Sequence, residues 1–157
     1  MSFQAKLILD DNEYNVLTVE YAITQPVDSN NRPNGRVRGG IIDLTVESGA
    51  NFELIQWVAE HSMVRNGKID FYRRDSTSVV KSVEFTDAFC IYLKEIFISE
   101  GAHPMVTKVT LTARELNIQS STILNTWAGM HSESSGGSDS DSDSMDTENS
   151  VQFGDDV

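Results

Sequence analysis

Residues Arg32 to Ser48 read RPNGRVRGGIIDLTVES, and the alternation of apolar side chains in this stretch changes parity at a Gly-Gly pair. Ahead of the pair the apolar residue is odd-numbered, Val37, with Arg36 and Arg38 at even positions. Beyond it Ile42, Leu44 and Val46 are even, and Asp43, Thr45 and Glu47 lie opposite. Side chains on a strand alternate strictly between faces, so a parity change inside one extended segment requires an extra residue in the ladder, a bulge that glycine tolerates most readily. Gly39 and Gly40 therefore read as a kink built into a strand; the other reading is a turn between two short strands. In both, two arginines are held beside a bend in a sheet.

Working outward, alternation recurs along the chain. Ala5, Leu7 and Leu9 share one face of a strand over residues 4–9, and Asp10, Asp11 and Asn12 supply turn chemistry. A second strand places Leu17, Val19, Tyr21 and Ile23 inward, so the two form a hairpin. Residues 25–35, QPVDSNNRPNG, form a loop of a length unusual in a compact β domain and often functional. A single helix is predicted over about residues 51–62, with Asn51 as cap, Glu53 in its first turn and Leu54, Ile55, Trp57 and Val58 as an apolar stripe that plugs an open barrel end or lies in part in an interface. Asn66-Gly67 is a hairpin signal ahead of a strand at 68–75 with Ile69 and Phe71 on one face. Two strands are expected within residues 79–98, turning near Thr86-Asp87, and a last long strand over 105–118 carries Val109, Leu111 and Ala113 on one face. The segment Phe89 to Ile98 is apolar on both faces, which requires a covering layer from the helix or a neighbouring subunit. Together these elements predict a mainly β fold: a small antiparallel β-barrel with one amphipathic α-helix.

Charge divides the chain in two. Its formal net charge is −12, from 24 acidic and 12 basic residues. Residues 131–157 hold Glu133, Asp139, Asp141, Asp143, Asp146, Glu148, Asp155 and Asp156 and no Lys or Arg, so residues 1–130 keep 16 acidic against 12 basic, or −4. The division expected is a barrel domain over 1–130 followed by an acidic Ser/Asp-rich tail over 131–157 too poor in apolar residues to order itself. Scattered basic residues do not make the cationic surface that nucleic acid requires. One cysteine, Cys90, excludes an internal disulfide and reads as a small apolar residue in a strand. No stretch has the length of a membrane span, and the N-terminus lacks the pattern of a secretory signal.

Catalytic chemistry finds no residues to carry it. His61, His103 and His131 share no metal or triad spacing with Cys90 or a carboxylate. Asp139, Asp141 and Asp143 imitate the opening of a calcium loop, but Ser144 and Ser150 stand where its glycine and bidentate glutamate belong. No metal, cofactor or enzymatic activity is expected.

Four ordered segments resemble the tube-forming Hcp (TssD) family of type VI secretion systems. The first is Met1-Ser2-Phe3 with Ala5-Lys6-Leu7 and Leu9-Asp10. The second runs from Val27-Asp28 through Arg32-Pro33 and Gly35-Arg36-Val37-Arg38-Gly39-Gly40 to Leu44-Thr45-Val46-Glu47-Ser48. Ile69, Phe71-Tyr72 and Arg73-Arg74-Asp75 form the third, and Pro104-Met105 with Leu111-Thr112-Ala113-Arg114 the fourth. The resemblance covers residues 1 to about 127 and implies the same barrel, assembled as hexameric rings stacked into a tube that carries effectors. Sheath, baseplate or spike proteins would be its partners, and export from the bacterial cytoplasm would need no cleavable signal. By the same analogy Val27, Asp28, Arg32, Pro33, Gly35 and Arg36 are candidates for contacts between rings, and Arg38, Gly39 and Gly40 shape a bulged strand at a subunit boundary. The alternative is a monomeric barrel that binds a small apolar ligand, as barrels with unfilled interiors can.

Overall fold

The computed structural model describes residues 2–49 and 52–127. Asn51, the expected helix cap, and the acidic tail lie outside the described residues. Seven strands and one helix follow in the order β1 (Phe3–Leu9), β2 (Asn12–Tyr21), β3 (Ile41–Glu47), α1 (Glu53–Ala59), β4 (Arg65–Arg73), β5 (Val79–Phe97), β6 (Met105–Ile118) and β7 (Ser121–Leu124). Their order in the sheet is β3-β2-β1-β4-β5-β6-β7, every pairing is antiparallel, and β3 also pairs with β6. That last pairing closes a six-stranded barrel, with β7 left as a flap on β6. The predicted mainly β barrel with a single helix is the observed fold.

The alternation of each strand decides what fills it. Leu7 and Leu9 from β1, Ile42, Leu44 and Val46 from β3, Ile69 from β4, and Val109, Leu111 and Ala113 from β6 are all buried in one interior cluster. Packed side chains occupy the interior, so an apolar ligand inside would have to displace them. The helix covers one end of the barrel through Leu54 and Trp57. Trp57 stacks on Phe85 of β5 and donates its indole N–H to the carbonyl of Ala88 at 3.1 Å and of Met63 at 3.2 Å. Glu53 accepts from Asn12 Nδ2 and the Tyr14 hydroxyl and pairs with Arg65, tying the helix to the β1–β2 turn and the start of β4.

Several expectations are corrected. Residues 79–97 form one 19-residue strand, not two strands with a turn at Thr86-Asp87. Inward residues in β5 pass from odd (Val83, Phe85) to even (Ala88, Cys90), and in β6 from odd (Ala113) to even (Leu116), at the same level. Asp87 takes φ +49° there, receives the Arg114 guanidinium at 2.7 Å, and donates its N–H to Asn66 Oδ1. The turn-like dipeptide is thus a bend shared by two paired strands. Asn66-Gly67 is no hairpin but part of β4: a Cβ on Gly67 would lie 2.6 Å from the Phe85 ring and 2.7 Å from Leu9. A glycine here makes room for core side chains rather than for a turn.

In β2 a register shift between Val16 and Thr18 moves the inward set from Tyr14 and Val16 to Val19 and Tyr21, so neither Leu17 nor Ile23 joins the core. The helix is shorter than predicted, starts after Phe52 without a side-chain cap, and leaves Ile55 exposed. Strand β7 was not anticipated; its four residues contribute only Ile123 to the core.

Cys90 is buried, and burial pushes its thiol up from 9.0 to about 11. The thiolate is the charged form, so whatever stability this group lends the fold is present below pH 9 and lost as pH climbs from 9 towards 11. Because only the thiolate is nucleophilic, alkylation by iodoacetamide near pH 8 is expected to be slower in the native protein than in urea by on the order of 100-fold. Equal rates in the two states would show that the β5 interior face is open.

Candidate assembly surface

Between β2 and β3 the chain leaves the barrel and returns as an ordered arm. Thr24 and Arg38 exchange both backbone hydrogen bonds, at 2.8 and 2.7 Å, and Val27 bridges Pro33 further out. Asp28 builds the tip: its Oδ1 accepts from the N–H groups of Asn30 and Arg32, and its own N–H donates to the Arg32 carbonyl. Asn31 and Gly35 supply the positive φ values, +61° and +127°, that reverse the chain. Of residues 22–38 only Pro26 and Asp28 are half-buried; the rest, Val27 at 56% included, are exposed. Asparagine, proline and glycine there encode a local hairpin-like geometry rather than an unstructured connection.

The arm joins the barrel at Gly39-Gly40, where the expected kink is present in a different form. Strand β3 begins only at Ile41, so the pair is not a bulge inside a strand but a sharp bend ahead of it, with Gly40 at φ +104°. Three segments meet here. The Gly40 carbonyl accepts from the Ala113 N–H, and Asn125 Nδ2 donates to the carbonyls of both Gly39, at 2.6 Å, and Ala113, at 3.0 Å. At this level β6 exchanges neighbours, from β3 up to Thr112 to β7 from Glu115 onward. A Cβ on Gly40 would lie 2.6 Å from both the Ala113 carbonyl oxygen and the Asn125 amide nitrogen.

The nine residues singled out from sequence thus fall into two groups. Val27, Asp28, Arg32, Pro33, Gly35, Arg36 and Arg38 lie on the arm, whereas Gly39 and Gly40 anchor it. Arg36 Nη1 donates to Thr126 Oγ1 at 3.4 Å, and Trp127 packs on Phe89 with ring centroids 5.5 Å apart, so the end of the described chain runs past the base of the arm. Asn125, the residue that pins this junction, was missed; it follows a strand too short to show alternation.

A second surface lies on β5 and β6 beyond the shared bend. Past Ala88 no described strand pairs with the β4 side of β5. Along this stretch Ile91 and Tyr92 are exposed, and at its end Phe97 (71% exposed) pairs with Met105 beside Ile98. Apolar side chains exposed at both ends of an open strand edge, with the exposed Lys94 and Glu95 between them, make a surface suited to association. Elsewhere, His103 Nδ1 sits 2.8 Å from Glu47 Oε1, and among the described residues no cluster of three or more metal-ligating side chains forms.

Comparison with known proteins matches residues 1–128 to the family model of the hemolysin coregulated protein Hcp (TssD). Among solved structures, Hcp1 from Flavobacterium johnsoniae is 30% identical, covers 78% of this chain and 99% of its own, and superposes with a TM-score of 0.73. Hcp1 from Salmonella typhimurium has the same fold at 16% identity, with 78% and 92% covered and a TM-score of 0.62. No curated protein sequence matches the chain.

Proposed function

The chain belongs to the Hcp (TssD) family of type VI secretion tube proteins, and from that premise we propose that it forms hexameric rings that stack into a secreted tube carrying effectors. The observation that carries this reading is the pair of surfaces left open on a filled barrel. The exposed apolar edge of β5 beyond Ala88 suits lateral contact between neighbouring subunits in a ring. The arm, held by its own backbone bonds, suits contact with the next ring through Val27, Asp28, Arg32, Pro33, Gly35, Arg36 and Arg38. An ordered arm reaches its partner at lower entropic cost than a flexible loop of the same length. Sheath, baseplate and spike components of the secretion system are the partners this role implies, and the bacterial cytoplasm is where assembly would start.

Light scattering after gel filtration, with negative-stain imaging, tests the proposal. The expected particle is a ring with six times the 17.4 kDa chain mass. A monomer at micromolar concentration, with no ring in images, would overturn it.

A further inference from the structure

Two strands of the barrel lose a neighbour halfway along. β1 pairs with β2 only as far as Val16, where the register shift falls, so no described strand pairs with the β1 side of β2 from Thr18 to Tyr21. β5 loses β4 after Ala88 and keeps only β6 along Phe89–Phe97. Between these two free edges lie β3 and β6. The second halves of β2 and β5 therefore bound one four-stranded sheet in the order β2-β3-β6-β5.

Register carries across that sheet from edge to edge. Thr18 aligns with Thr45, Lys108 and Lys94; Val19 with Leu44, Val109 and Leu93; Glu20 with Asp43, Thr110 and Tyr92. Each row starts on one free edge and ends on the other, so the two edges lie at the same level of the barrel. Val19 and Leu93 pack against the core, which puts Thr18, Glu20, Tyr92 and Lys94 on the outer face, and all four are exposed. Neither Glu20 nor Lys94 makes an ion pair among the described residues.

Neighbouring strands in this sheet all run antiparallel. With an even number of strands, β5 of one copy laid beside β2 of the next by rotation alone is antiparallel again. Pairing β5 with β5 is antiparallel too, but it is two-fold, stops at a dimer and leaves β2 bare. β7 is also an edge, yet it pairs with β6 only at Glu115–Ile118, level with the part of β5 that β4 covers, and so lies outside this sheet.

We propose that the Phe89–Phe97 edge of one copy pairs antiparallel with the Thr18–Tyr21 edge of the next, with Lys94 diagonal to Glu20 across the seam. The proposal rests on the reading of the chain as a ring subunit and names the strand that covers the open edge of β5. Backbone N–H and C=O groups bare on both edges gain partners, and the exposed Ile91 and Tyr92 are covered. Opposite charges at the diagonal position favour this pair of edges over β5 against itself. Because the two edges differ, the contact repeats from copy to copy until the ring closes.

Disulfide trapping in the full-length chain tests the pairing. The double variants T18C/K94C, E20C/Y92C, E20C/K94C and T18C/Y92C cover the level register and slips of two residues either way, all at exposed positions. Within one copy three strand spacings, about 14 Å, separate the paired positions, too far for an internal bridge. After mild oxidation at least one double variant should give a ladder on a non-reducing gel that ends at six chain masses. Its single variants, and the parent chain with Cys90 alone, should form about ten-fold less linked product. Single Y92C or K94C variants that link as well as the doubles show β5 against β5 and overturn the proposal. Light scattering and imaging of the same samples keep the two readings apart: rings with no ladder from any variant overturn the edge pairing alone, whereas monomers with no ladder overturn the ring reading as well.

Discussion

Gly40→Ala will destabilise the protein more than the same change at any glycine with open surroundings, by about 2–6 kcal/mol. Two costs add: a side chain held in the left-handed region, about 1–3 kcal/mol, and an overpacked contact of similar size. The contact cannot relax cheaply, because the Cβ would meet the Ala113 carbonyl oxygen at 2.6 Å, and that oxygen belongs to the barrel wall. Two controls separate the costs. Gly101 has φ +130° with nothing within 4 Å of a built Cβ, so Gly101→Ala measures backbone strain alone. Gly49 has neither feature, and Gly49→Ala should change stability by no more than about 0.5 kcal/mol. Urea unfolding of the three variants gives the comparison, and thermal unfolding should show a fall in Tm on the order of 10 °C for Gly40→Ala. If Gly40→Ala costs no more than Gly101→Ala, the three-segment junction is loose and does not fix the arm.

Trp57→Ala is expected to cost about 3–5 kcal/mol, a large share of the 5–15 kcal/mol available to a domain of this size. The side chain is 1% exposed, spans the gap between the helix and β5, and is held at both ends by stacking on Phe85 and by two carbonyl acceptors. Removal leaves a cavity at the barrel end and two carbonyls without their donor. Trp57→Phe keeps most of the apolar volume and loses only the N–H, so it should recover more than half of the loss. Chemical denaturation monitored by circular dichroism checks both. A loss under about 1 kcal/mol for the alanine variant would mean that the helix merely lies against the barrel and does not close it.

Elements encoded by unbroken alternation were legible in the sequence. Strands β1 and β3, the first part of β6 up to its bend, and the inward sets Leu7–Leu9, Ile42–Leu44–Val46 and Val109–Leu111–Ala113 read directly, because a strand facing a core must alternate. What escaped was encoded in three dimensions. Thr86-Asp87 and Asn66-Gly67 have turn composition, yet both lie inside long strands: one bends with its partner at the Asp87–Arg114 ion pair, and the other yields space to Phe85. The β2 register shift at Leu17 is invisible because Val16, Leu17 and Val19 fit either parity. In the candidate surface, the seven arm residues could be nominated from composition and family resemblance. The role of Asn125 could not, since it depends on the place where β6 changes partners.

The closing pair of the barrel also sets a schedule. Ile41 meets Thr112 and Glu47 meets Val106, partners far apart in the chain, whereas β1–β2, β4–β5, β5–β6 and β6–β7 join elements adjacent in sequence. Loop-closure entropy must be met before such distant pairing returns any free energy, so the hairpins can form early, and the two long-range pairings, β1 with β4 and β3 with β6, come after them. During translation β3 is therefore complete while the strand that will cover its edge has not left the ribosome. Asp43 and Glu47, alternating with the buried Ile42, Leu44 and Val46, place negative charge along that waiting edge. Charges on an unpaired strand discourage it from pairing with the same strand of another nascent chain. Strand β3 thus carries a local guard against association too soon and through the wrong edge.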